Sequence, residues 1–342
     1  MADYRILDCT MRDGGYQNDW LFGRKAKTRV PRYLAAAGVD YIEMGFVQDG
    51  EYSRRQSISD DIRRFDEFIP DDSRAKYFVM MTFELDYDLA KLPPKSETKI
   101  DGVRLIFKRK NLENFATYAR AIKEKGYALS INPQTINSYS GAELDRVVEI
   151  TNGIKPAIFS IVDTNGSMWP RAVYELAVRF DKGLVPNIAL GYHSHDNLKL
   201  ALPGALRLTE LATSRAIVLD SSLRGMGRGA GNLNTELIAE ILNNLEGRVD
   251  GREKYDMDLI FKAIDEHIGK IARRHAWGYS AIYGMAALAD MHPNYAVWLS
   301  ARKSTNVQAQ HALARIPADK RVDFYEDLIA DIFADVLDAD RK

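Results

Sequence analysis

The chain has 342 residues, a formal net charge of −1, 46% apolar residues and a single cysteine, Cys9. That length buries a large core, as one big domain or a domain with an appendage, and the balanced charge gives no electrostatic case for nucleic acid or an anionic membrane. No apolar segment approaches a membrane span, no basic-then-apolar signal region opens the chain, and one cysteine allows neither an intrachain disulfide nor a cysteine-rich zinc site, so a cytoplasmic protein is expected.

In chain order, apolar β-rich runs fall at 4–10, 41–46, 76–82, 102–107, 127–132, 158–163, 188–193 and 216–219. They are nearly continuous in apolar residues, as strands buried on both faces are. Helical patterns lie between most of them, at 112–125, 142–152, 171–180 and 198–211. Gly126 closes the first of these, and Ser140 with Glu143 has capping-box spacing ahead of the second. The unit at 84–99 contains Pro93-Pro94 and predicts no long helix. Eight strands alternating with helices predict an α/β fold, a (β/α)8 TIM barrel over 1–250, ahead of the open doubly wound sheet that shares the alternation. Beyond it the pattern is helical only, with long stretches at 258–275 and 323–337, which predicts a C-terminal helical region over 251–342.

In such a barrel the C-terminal ends of the strands carry the chemistry. The first run ends in Arg12-Asp13-Gly14-Gly15, which reads either as a solvated pair in a surface turn or as a functional pair beside glycines that admit a ligand. Glu43 sits in the second run, and Asp163-Thr164-Asn165-Gly166 ends the sixth. His193-Ser194-His195 ends the seventh, and the eighth leads into a glycine-rich loop holding Arg224, Arg228 and Asn232. Residues two apart on a strand share a side, so His193 and His195 reach one point, and Asp13 would complete a facial metal set. A pair of core histidines fits that spacing too, although the chain has only six histidines to place. The loop segment Gly225-Met226-Gly227-Arg228-Gly229-Ala230 has the letters of a dinucleotide fingerprint but follows the last strand, so a tight loop bringing backbone N–H groups to the site is the simpler reading.

Four motifs in one order, LDCTMRDGG, YIEMGF, GYHSHDN and DSSLRGMGRGAGN, resemble the DRE-TIM metallolyase (HMGL-like) superfamily over roughly the first 235 residues. Within it the GRGAGN loop and DTNGSM are most similar to the 4-hydroxy-2-oxovalerate-type (4-hydroxy-2-oxoacid) aldolases. The resemblance implies a divalent metal, Mn²⁺ or Mg²⁺, held by Asp13, His193 and His195, with Asn232 where some members have a further ligand. It implies that Arg12 polarises the carbonyl oxygen of a 2-oxo acid and stabilises its enolate, and that an aldehyde is the other substrate. Thr164 matches a small hydroxyl residue that touches the substrate carboxylate, and otherwise reads as a turn or helix cap. Tyr283, in WGYSAIYGM with Tyr279, resembles a pocket-lining segment, and at helical spacing also reads as core. A homo-oligomer or a dehydrogenase partner on the C-terminal helices is implied as well.

Three departures bear on the function. Tyr16 stands where these aldolases carry a histidine proton carrier, and a phenol shuttles protons only when its pKa falls or water assists. Cys9 lies inside the first strand, not on the mobile loop where the hydroxymethylglutaryl-CoA lyases place theirs. The loop reads Gly-Arg-Gly-Ala where the acyl-CoA-condensing synthases have Gly-Glu-Arg. A carbon–carbon lyase is therefore expected first, a Claisen-type acyltransferase second and a non-catalytic partner subunit third. Glu43 either acts at the barrel mouth or pairs with Arg12 behind it. Arg224, Arg228, Lys199 and the run Lys108-Arg109-Lys110 predict a basic mouth suited to an anionic substrate, unless Arg224 pairs with Asp220 or Glu236.

Overall fold

Every apolar run of the sequence becomes a parallel strand in the computed structural model, which describes residues 3–247 and 253–340. The strands are β1 (Asp3–Asp8), β2 (Tyr41–Val47), β3 (Ile58–Ser59), β4 (Lys76–Thr82), β5 (Gly102–Phe107), β6 (Ala128–Pro133), β7 (Ile158–Asp163), β8 (Ala189–Ser194) and β9 (Ala216–Ser221). They run in the order β1-β9-β8-β7-β6-β5-β4-β2, and Leu7↔Tyr41 and Asp8↔Ile42 join β1 to β2. That last pairing closes the sheet into an eight-stranded TIM barrel and disposes of the open-sheet alternative.

The helices α1 (Gly23–Ala36), α2 (Phe115–Glu124), α3 (Gly141–Ile154), α4 (Pro170–Gly183), α5 (Ala201–Thr209) and α6 (Thr235–Glu246) cover the barrel. The capping box of Ser140 and Glu143 forms at α3. The proline-containing unit builds no α-helix, only three 3-10 turns, at Phe83–Leu85, Leu89–Lys91 and Lys95–Glu97. The long helix expected over 258–275 is broken: α7 (Met257–Ala263) passes through a π-helical turn, Ile264–Ile268, into the short α8 (Gly269–Ala272). After it come α9 (Ala281–Leu288), α10 (Asn294–Ala301), α11 (Asn306–Ala314) and α12 (Glu326–Asp340). Tyr255, Ile260, Ala263 and Ile268 join the barrel's outer core, whereas Ile282, Tyr295, Leu299, Leu313, Ile329 and Phe333 form a core of their own. The expected division at 250/251 lies outside the described residues. No described helix is long and apolar enough to cross a membrane.

Alternation along the strands sorts the barrel interior into layers. Leu7, Phe78, Ile158 and Val218, with Cys9, fill its lower part. Two residues beyond Tyr41, Gly102, Ala128, Ile158 and Val218 come Glu43, Arg104, Ser130, Ser160 and Asp220, all fully or almost fully buried. The interior thus turns from apolar to charged on the way to the mouth.

The two-residue strand β3 was not expected. It lies beside the end of β2 through Phe46↔Ile58 and Val47↔Ser59. Gly45 makes this approach feasible: its φ is +149°, and a Cβ there would collide with the Ser57 carbonyl oxygen. Ser57 in turn donates its hydroxyl to the Met11 carbonyl at 2.6 Å, which pins the turn leading to Arg12. Gly45→Ala should therefore cost about 2–4 kcal/mol of unfolding free energy, the range for strain plus a lost buried contact. Urea denaturation measures it, and an unchanged midpoint would show that the β2–β3 contact yields freely.

Candidate active site

The first strand ends in a tight turn because the Cys9 carbonyl accepts from the N–H groups of both Arg12 (3.1 Å) and Asp13 (2.8 Å). Both side chains are thereby turned into the barrel, where Arg12 is 4% and Asp13 1% exposed. The surface-turn reading fails on this burial. Gly15 serves packing, not ligand approach, since its missing Cβ leaves room for the Trp20 ring, whose indole N–H donates to the Arg12 carbonyl at 2.6 Å.

Arg12 is held on two sides. Its Nε donates to Glu43 Oε2 at 2.8 Å and its Nη1 to Asp13 Oδ1 at 2.6 Å, while Nη2 is buried with no partner. Glu43 is thus the carboxylate behind Arg12, and it also accepts from Arg104 Nη1 at 3.1 Å. Arg104, buried on β5, donates its Nη2 to Asp220 and to Asn132 Oδ1. Asp220 stands 3.0 Å from His193 Nδ1. Neither Arg104 nor Asp220 was selected from the sequence as a site residue. The signal for Arg104 was available, as a charge in the middle of an otherwise apolar strand, GVRLIF.

His193 and His195 do share a side of β8, their rings 5.1 Å apart and perpendicular. Their ligand nitrogens and an Asp13 oxygen all lie within 4.8 Å of one another. His195 Nδ1 rests 3.1 Å from the Asp163 carbonyl, which leaves Nε2 buried without a hydrogen bond, 3.4 Å from Asp13 Oδ2. Asn232 donates Nδ2 to Asp13 Oδ2 at 2.6 Å, and its Oδ1 is buried with no partner. Burial pushes the Asp13 carboxyl upward, but Arg12 and His195 outweigh it and hold the group well below the usual carboxylate range. Burial lowers His193, against the pull of Asp220, and keeps the imidazole neutral. A carboxylate, the neutral imidazole of His193, the unpartnered Nε2 of His195 and an orphaned amide oxygen can together ligate a divalent cation, so the residues fit such an ion.

The remaining candidates are spread around the mouth. Tyr16 is 42% exposed, edge-on to Trp20 and Phe46, with the Arg228 guanidinium 5.5 Å from its ring centroid. Arg228 donates Nη2 to the Thr164 carbonyl at 3.2 Å. Thr164 does not cap a helix; its hydroxyl accepts from the Thr135 N–H at 2.8 Å. Tyr283 packs against the C-terminal core. Arg224 is exposed, and it is its backbone N–H that donates to Glu236, at 3.0 Å. The expected basic mouth is largely neutralised, because Lys108 pairs with Asp323, Arg109 with Glu143 and Lys199 with Asp196. Cys9 donates Sγ–H to the Ser221 carbonyl at 3.1 Å, and burial pushes its thiol well up.

A cavity of about 340 Å³ opens beside Thr164, lined by Lys108, Lys110, Gln134, Thr135 and His292 among others. His292 comes from the C-terminal helical region, where nothing in the sequence marked it. Its Nδ1 accepts from the Asn294 N–H at 3.2 Å, which places the proton of the neutral ring on Nε2. Burial, with Arg228 and Lys108 nearby, brings its pKa down to about 3.

Two predictions follow from these contacts. Arg104→Ala leaves Glu43 and Asp220 buried without their shared cation and should cost about 3–5 kcal/mol in denaturant unfolding; a variant as stable as wild type would show that the interior ion pairs carry no net weight. For His292, the unfolded chain takes a proton near pH 6.5 that the folded chain refuses until about pH 3. Its contribution is therefore complete above pH 6.5 and is lost as pH falls below that. His292→Gln should flatten the decline in stability between pH 6.5 and 4.5 by about 1–2 kcal/mol, read from urea midpoints at each pH; parallel curves would contradict the assignment.

A family model described as HMGL-like matches residues 3–265. Among curated proteins the chain is similar to the 4-hydroxy-2-oxovalerate aldolase of Bacillus cereus, 23% identical over 344 residues that cover 97% of this chain and 95% of the other. It is also similar to the oxaloacetate decarboxylase of Mycobacterium tuberculosis, 26% identical over 267 residues, 75% of this chain and 74% of the other. Among solved structures, the N-terminal domain of a candidate aldolase from Bacteroides vulgatus matches with a TM-score of 0.72 at 23% identity, covering 86% of this chain and 96% of that one, a likeness that shows the fold. The matched residues run from β1 into the π-helical turn and take in Arg12, Asp13, His193, His195 and Asn232, so this chain belongs to the HMGL-like family of the DRE-TIM superfamily.

Proposed function

We propose that the protein is a divalent-metal-dependent aldolase that makes or breaks a carbon–carbon bond through the enolate of a 2-oxo acid such as pyruvate. The observation that carries this reading is the buried, partnerless Nη2 of Arg12, beside the Asp13, His193 and His195 cluster. A buried N–H without an acceptor costs free energy, and a substrate oxygen bearing developing negative charge offers the acceptor it lacks. Glu43 and Asp13 fix the other guanidinium nitrogens, so Nη2 has one direction in which to donate. When bound by Asp13, His193 and His195, with Asn232 Oδ1 at hand, Mn²⁺ or Mg²⁺ would supply Lewis acidity at the same oxygen.

The acceptor aldehyde then occupies the cavity beside Thr164. There the Nε2–H of His292 donates to the aldehyde oxygen, and Arg228 with Lys110 favours an acceptor that carries negative charge. Tyr16, at the rim under Arg228, is the remaining candidate for carrying a proton between solvent and the site. The similarity to an oxaloacetate decarboxylase supports a second reading, in which the same enolate arises by loss of CO₂.

Deuterium exchange at the pyruvate methyl group isolates enolate formation from the choice of acceptor. Protein loaded with Mn²⁺ should catalyse exchange, chelation should abolish it, and Arg12→Lys should lower it by roughly two orders of magnitude, because the lysine keeps the charge and loses the planar fork. Exchange that persists in either case would overturn the reading. Release of pyruvate from a 4-hydroxy-2-oxo acid without CO₂ would favour the aldolase; release of CO₂ from oxaloacetate alone would favour the decarboxylase.

A further inference from the structure

The segment that carries Arg12 and Asp13 continues through Tyr16 to Asn18, which lines a second cavity of about 490 Å³ between the start of α1 and the π-helical turn. Four cations surround it: Lys25, Arg55, Lys270 and Arg274, all exposed. Among the described residues none of the four has a carboxylate within ion-pair distance. The acids present are Asp19 and Glu266, and Glu266 already accepts from the Tyr33 hydroxyl at 3.0 Å and Arg29 Nη1 at 3.3 Å.

The lining also holds polar groups with nothing to bind. Asn18 is 7% exposed, and both atoms of its amide are buried without a partner. The buried Nε2 of His267, on the π-helical turn, likewise has no hydrogen bond, its nearest carboxylate oxygen being that of Glu266 at 3.7 Å. Turns of this kind, with one extra residue in the helix, recur at functional sites. Unpaired cations repel one another, and orphaned donors raise the free energy of the folded state, unless a ligand meets both.

We propose that this cavity binds the phosphoryl group of an organic phosphate. A phosphoryl group carries nearly two negative charges and three acceptor oxygens, which suits several cations at a rim above the amide of Asn18 and the imidazole of His267. The cavity is larger than a bare phosphate needs and lies within the size range of small-molecule sites, so the rest of the ligand has room. Asn18 is tied to the catalytic turn, since its N–H donates to the Gly15 carbonyl at 3.1 Å, and Trp20 bridges Gly15 to Arg12.

Calorimetric titration of the full chain with ADP and, separately, with inorganic phosphate tests the assignment. ADP should bind at least tenfold more tightly than inorganic phosphate, and more weakly as salt is added. The surface double substitution Lys270→Ala/Arg274→Ala should weaken ADP binding at least tenfold with circular dichroism unchanged, and Asn18→Asp, which puts a like charge beside the phosphoryl group, should weaken it at least as much. No measurable binding of either probe at 10 mM, equal affinity for both, or undiminished ADP binding by the double variant would overturn the proposal.

Discussion

One buried guanidinium, that of Arg104, sets the geometry of the whole barrel mouth. Removing a charge from water costs several kcal/mol, so it is stable inside the barrel only where carboxylates and amides surround it. Glu43, Asp220 and Asn132 do so, from three other strands. Each carboxylate is then shared outward: Glu43 Oε2 also accepts from Arg12, and Asp220 Oδ2 also lies against His193. The direction in which Arg12 presents its free nitrogen and the orientation of the His193 ring both trace back to a residue that lies below the mouth. Loosening that residue would disturb two halves of the site at once.

How much of this was legible in the sequence depends on the range of the interaction. The eight strands read clearly because both of their faces are buried, so their apolar runs are uninterrupted. The Asp13, His193 and His195 cluster was legible because each member sits at a strand end, where barrel topology alone brings them together. Partnerships between distant elements were not. The basic run Lys108-Arg109-Lys110 looked like positive charge at the mouth, yet Asp323 and Glu143, far along the chain, cancel most of it. The strap at Ser57 left no trace, because a two-residue strand within a polar stretch has no period. Asp258–His275 read as one helix because an added residue in a π turn barely disturbs the apolar pattern.

The C-terminal helices have a core of their own, and they nevertheless reach the barrel where it matters. His292 joins Thr164 and Thr135 around one cavity, and Asp323 pairs with Lys108 across the same opening. Asn165 Nδ2 and the Ser167 hydroxyl, both after β7, reach Asp290 Oδ1 at 3.1 and 2.7 Å. A barrel alone would leave this side of its mouth open to water. The added helices supply a wall, and with it a neutral imidazole that the strand ends do not offer.

The ionic interior also has a charge balance. Two guanidinium groups, Arg12 and Arg104, face three carboxylates, Asp13, Glu43 and Asp220, with His193 held neutral beside them. The set is one negative charge in excess. A 2-oxo acid arriving at this interior as it stands would bring its own negative charge into a negative field, whereas a divalent cation would reverse the sign first. Under the proposed function the interior therefore favours an order of assembly, cation before anion, after which the charges of these groups, the cation and the substrate would sum to zero.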